Sequence, residues 1–222
     1  MLETILKGKI MMIPLLICSV TALAVLIDRF WAFYTNSRLD TRKLRLDILQ
    51  CLRRGDVRKA ARICVDSPGP VSAVLLAGLQ AYVDLDQKTP ENIRVVVGEA
   101  MDDHSLHSMS AVQKRMWVLS TVGNAAPLFG MAGTVLGMIK SFETIAEGGM
   151  DPAAVGIGIA EALITTAAGL IIALGAVIPY SFLVSKSDAI ELDIEEASSE
   201  LLRFLANELP KIGVSDDHKA LN

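Results

Sequence analysis

The sequence predicts an all-α membrane protein. Three transmembrane helices carry a helical cytoplasmic extension, and the second and third of them project beyond the bilayer. Three observations predict this. Long apolar runs begin at Ile10, at Met116 and after Asp151, and each supplies the roughly 20 helical residues that a hydrocarbon core of about 30 Å requires. Between and after them, apolar residues recur at helical spacing, with no alternation of the kind a half-buried strand shows. The chain of 222 residues is 52% apolar and only 21% charged, a balance typical of membrane proteins with a substantial aqueous part.

Taken in order, residues 1–9 are a periplasmic segment and 10–33 the first span. The run Ile10 to Ile27 ends in Asp28 and Arg29, followed by Phe30, Trp31, Phe33 and Tyr34. Such aromatic residues after an apolar run mark a headgroup belt, with Asp28, Arg29 and Trp31 as its interface anchors. No small-residue cleavage pattern follows the run, so a retained span is expected rather than a signal peptide. Residues 34–115 form a cytoplasmic helical domain. There Leu44, Ile48 and Leu52 share a helix face, Gly55-Asp56 breaks it, "SPGP" at 67–70 is a hinge, and Pro90 opens a helix expected to run on into the second span.

The second span is 116–141, the short periplasmic loop 142–154 and the third span 155–185. Residues 186–222 continue as an amphipathic cytoplasmic helix through Ile190, Ile194, Leu201 and Leu205, then a disordered tail. Orientation rests on basic residues. Nine Lys and Arg lie between Arg38 and Arg62, two in the head (Lys7 and Lys9), and none between Ser141 and Gly156. The positive-inside rule therefore places the N-terminus on the outer side of the membrane and the C-terminus in the cytoplasm.

The composition also excludes. Cys18, Cys51 and Cys64 match no metal spacing and no even disulfide set, so free thiols are expected. His104 and His107 read as a solvated face rather than a metal site. No phosphate loop, zinc-protease motif or nucleophile elbow occurs, so neither enzymatic activity nor a cofactor is expected. The basic stretch is interleaved with acids and follows a span, which makes it a topology signal and not a nucleic-acid surface.

Two spans carry unusual small-residue faces. In the second, Gly123, Pro127, Gly130 and Thr134 follow at steps of four, three and four, with Gly133 and Gly137 as a neighbouring ridge. In the third, Gly158, Ala162 and Thr166 lie four apart, followed by Gly169. Small residues mark close helix–helix approach in lipid. Thr134, Thr165 and Thr166 add hydroxyls; for Thr134 and Thr166 the plain reading is a bond back to their own helix. Glu161 is the single charge between Asp151 and Lys186, and an ionisable group within a span marks function by default.

"APLFGMAGTVLGMIKSF" (126–142) and "GIAEALITTAAGLIIALGAVIPY" (158–180) resemble the signature spans of the MotA/TolQ/ExbB proton-channel family. "MIPLLICSVTALAVLIDRFWAF" resembles its first span, nearer ExbB than TolQ, with Asp28-Arg29 where the family usually has Glu-Arg. The resemblance implies three spans and a homopentamer around a one-span ExbD- or TolR-like partner, with proton flow across the bacterial inner membrane driving a TonB- or TolA-like transducer toward the outer membrane. Carried over by motif, the family's span-two threonine is Thr134, its span-three glutamate Glu161 and its span-three threonine Thr166. Thr165 lies beside Thr166 in the same "TT" pair and is counted with them as pore-lining. Two rival readings are a passive membrane scaffold, which would tolerate loss of Glu161 and Thr166, and the stator of a motility system, which the count of three spans disfavours.

Overall fold

The computed structural model describes residues 11–36, 41–148 and 152–208. Among the described residues the chain is helical, without strands. The order is α1 (Met12–Asn36), α2 (Thr41–Arg53), α3 (Val57–Asp66), α4 (Pro70–Asp84), α5 (Pro90–Asn92), a π-helical turn (Ile93–Val97), α6 (Gly98–Gln113), α7 (Met116–Gly148) and α8 (Pro152–Asn207). Among the described residues, three helices are long and apolar enough to cross a membrane, over Met12–Phe33, Met116–Ala146 and Val155–Asn207. The expected head at 1–9 and tail after 208 lie outside the described residues, and helical backbone enters the 142–154 stretch from both sides.

The chain divides into two compact units. One comprises residues up to Ala32 together with Arg115–Leu183; the other comprises Phe33–Lys114 together with Val184 onward. The second is a helical domain with an ordinary apolar core. Leu44, Ile48 and Leu52 of α2 are buried in it, as are Leu75 and Leu79 of α4 and Ile194, Leu201 and Leu205 of α8. In α2 and in the C-terminal helix these are positions that helical spacing picked out; Ile190, expected with them, is partly buried against the same core. The turns obey local chemistry. Gly55 adopts φ +75°, a left-handed conformation that glycine enters without steric cost. The Asp56 carboxylate accepts the Lys59 N–H at 3.0 Å, and Thr89 caps α5 by accepting the Asn92 N–H at 3.3 Å.

One expectation fails. The helix opening at Pro90 does not run into the second span. It passes through the π turn and ends at Gln113, and Arg115 takes φ 63° before α7 begins. A non-glycine residue in that region stops a helix. Nothing in the hydrophobic pattern signals the stop, because Arg115 is neither glycine nor proline.

Cys64 is buried at 3% exposure in the second unit's core, and that burial pushes its thiol up to about 11. Two outcomes are expected. In the folded protein, Cys64 reacts with maleimide more slowly than the half-buried Cys51. The folded thiol also keeps its proton where the unfolded one, with a pKa of 9.0, has lost it. The stability this burial contributes is thus present below pH 9 and lost as pH rises toward 11, at most about 2–3 kcal/mol. Chemical denaturation of wild type and Cys64→Ala between pH 8 and 11 measures this: the alkaline loss shrinks in the variant.

Candidate functional site

The site is a seam between α7 and α8. Along α7 the sequence places Gly123, Ala126, Gly130, Gly133, Gly137 and Ser141 at steps of three or four, which keeps them on one helix face. With no side chain or only a small one at each, the partner backbone comes close. A Cβ built on Gly130 would lie 3.1 Å from the Thr166 Cα, one on Gly133 2.6 Å from the Thr165 methyl, and one on Gly137 2.7 Å from the Ala162 Cβ. From the other side, a Cβ on Gly169 would lie 2.6 Å from the Ala126 carbonyl oxygen. The ends are equally tight: Val177 fills the space beside Gly123, and the Ser141 hydroxyl fills that beside Gly158. As numbers rise on α7 they fall on α8, so the two helices are antiparallel. Leu15 of α1 packs with Ala126 and Ala173 at the same pair.

The hydroxyls divide by role. Thr166 Oγ1 donates across the seam to the Gly130 carbonyl at 2.8 Å. Thr165 Oγ1 donates within its own helix to the Glu161 carbonyl at 2.9 Å, and its side chain is buried at 4% exposure. Thr134 Oγ1 donates to the Met131 carbonyl at 2.7 Å. The plain reading thus holds for Thr134 and fails for Thr166, which ties the two helices together; Thr165 bonds within its own helix. Each hydroxyl has committed its proton to a carbonyl and retains lone pairs that accept from water. Glu161 is half-buried one turn before Thr165. Pro127, inside α7, is half-buried as well.

Ala126 and Ser141 were not singled out by sequence. Ser141 is buried, donates to the Gly137 carbonyl at 3.0 Å and closes the seam against Gly158. Its place four residues after Gly137 is the signal that would have found it. At the far end of the same unit, Arg29 Nη2 lies 2.9 Å from Asp28 Oδ2, and Arg115 Nη1 lies 3.3 Å from the same oxygen. Arg29 is 8% exposed and Trp31 74%. His104 and His107 are exposed, and among the described residues no cluster of three His, Cys, Asp or Glu is placed to hold a metal.

The glycines should respond unequally to substitution. Gly169→Ala forces its methyl against a backbone carbonyl and is expected to cost about 1–3 kcal/mol. Gly175 has nothing within 4 Å, so Gly175→Ala should be neutral or stabilise by up to about 1 kcal/mol through helix propensity. Thermal unfolding of the detergent-solubilised protein compares the two.

The profile of the MotA/TolQ/ExbB proton channel family matches residues 66–196. The chain is 34% identical over 190 residues to the putative biopolymer transport protein ExbB-like 1 of Synechocystis, covering 83% of this chain and 71% of that one. It is 28% identical to the ExbB-like 3 protein of the same organism, with 75% and 77% covered. It is also 28% identical to the biopolymer transport protein ExbB of Salmonella typhimurium, with 90% and 82% covered.

Proposed function

The chain belongs to the MotA/TolQ/ExbB proton channel family, and from that membership we propose that it is the ring-forming subunit of a motor driven by the proton-motive force. Several copies, five by analogy with the family, surround a one-span ExbD- or TolR-like protein in the bacterial inner membrane. The N-terminus is periplasmic and the C-terminus cytoplasmic, following the distribution of basic residues. Proton flow is coupled to movement of the partner, which acts through a TonB- or TolA-like transducer on the outer membrane or envelope. The chain performs no covalent catalysis.

One observation carries this reading. The single carboxylate of the third span stands one turn from a pair of hydroxyls, on a seam tight enough to hold them in register. A carboxylate can take up and release a proton. A threonine hydroxyl does not titrate near neutral pH and can only order water along a path. Thr134, Thr165 and Thr166 are assigned that ordering role and Glu161 the role of stabilising an arriving proton. Carrying the proton onward requires a second titratable group, which the proposal assigns to the partner's span.

Conduction is therefore expected to need the partner. In liposomes containing both proteins, an imposed pH gradient should decay by proton flux, and liposomes with this chain alone should stay tight. Thr166→Val removes one hydrogen-bonding group and should cut flux about tenfold, the rate equivalent of about 1.4 kcal/mol. Glu161→Gln should abolish energised function in cells while leaving assembly intact. A passive scaffold would tolerate both substitutions, and that result would displace the motor reading.

A further inference from the structure

We propose that Lys140 is the counter-charge of Glu161, closing over one flank of the seam between α7 and α8. The two side chains come from different helices; no ion pair joins them in this structure, and the seam's register sets them on the same flank within reach of one another. Gly133 and Thr165 face each other on one flank, and Gly130 and Thr166 on the other. Lys140 lies seven residues, two helical turns, beyond Gly133. Glu161 lies four residues, one turn, before Thr165. Both therefore continue the Gly133–Thr165 flank, and because the helices are antiparallel both continue it in the same direction. Gly137 marks the level: it meets Ala162, the neighbour of Glu161. Lys140 is three residues further on, about 4.5 Å along the axis at 1.5 Å per residue, a distance that a lysine's long flexible stem spans.

The setting gives each charge a reason to find the other. Lys140 lies at the end of the apolar run of α7 and is flanked by the exposed apolar side chains of Ile139 and Phe142. Glu161 is the only charge among the residues of α8 from Pro152 to Ser185. Charged side chains in such surroundings pair with one another or reach for the interface. Among the described residues, neither forms an ion pair in this structure. The rival for Lys140 is Glu143, exposed and three residues on along the same helix, a spacing that also allows pairing. Glu161 wins because it lies across the seam and inside the span, where a lone carboxylate is harder to leave unpaired. Lys140 is a positioning residue: it holds the carboxylate at one place on the seam and must yield when a proton takes its place. This role rests on the channel reading; the pairing itself does not.

A mutant cycle tests it, read in two ways on the complex reconstituted with the one-span partner. Wild type, Lys140→Gln, Glu161→Gln and the double variant are compared by thermal unfolding and by proton flux. Lys140→Gln should lower the unfolding midpoint by about 2–4 °C, the scale of one ion pair in a chain of this size, and change flux several-fold. The midpoint shift should not recur in the Glu161→Gln background, where the expected loss of function leaves no flux to compare, and Lys140→Arg should restore both midpoint and flux. The pairing is overturned if Lys140→Gln shifts the midpoint equally in both backgrounds, shifts it in neither, or loses its effect in a Glu143→Gln background instead. Should the midpoints couple while the wild-type complex carries no protons, the ion pair stands and the channel reading falls.

Discussion

Backbone proximity along α7 and α8 is the constraint on which the rest of the first unit depends. In lipid, apolar side chains gain nothing by leaving their surroundings, so helices associate through van der Waals contact and hydrogen bonds. Contact of that kind falls off within fractions of an ångström. Glycine and alanine at Gly130, Gly133, Gly137, Ala162 and Gly169 allow the approach. The Thr166 hydroxyl then reaches the Gly130 carbonyl, a bond that larger side chains at the same positions would hold out of range. The geometry that packs the helices is thus also the geometry that fixes the polar groups.

The second unit is stabilised by different physics. Its helices are short and amphipathic, and burial of Leu52, Leu79, Ile93 and Leu205 removes apolar surface from water. Its polar surface carries ordinary exposed pairs such as Arg45 with Glu196 at 2.8 Å, worth little individually. Long α8 contributes residues to both units. Its 56 residues are far more than the roughly 20 that cross a bilayer core.

Much of this was legible in the sequence because each feature has a local cause. Apolar length marks the three long helices, helical spacing marks Leu44, Ile48 and Leu52, and Gly55 and Pro90 punctuate the chain where their backbone preferences require. The stop before α7 was not legible, because an arginine in a left-handed conformation leaves no compositional trace. Nor was the division of labour among the threonines. Thr165 and Thr166 are adjacent and chemically identical, and only the register of the opposing helix sends one hydroxyl back along its own helix and the other across. The choice of seam residues was partly legible: small residues at helical steps identified both faces, but Ser141 and Ala126 join them through spacing that also matches many residues outside the contact.

The unequal crowding around the glycines has a consequence for how such a chain drifts over generations. Most single-nucleotide changes in a glycine codon yield a larger side chain. At Gly156 and Gly175 such changes meet open space, whereas at Gly130 and Gly169 they meet backbone. Among these glycines, mutational tolerance therefore follows the seam: lowest where backbone opposes backbone, higher where the helix face is open. A lineage can replace the open glycines to suit new neighbours while the seam glycines, and the hydroxyl that bridges beside them, stay almost unchanged.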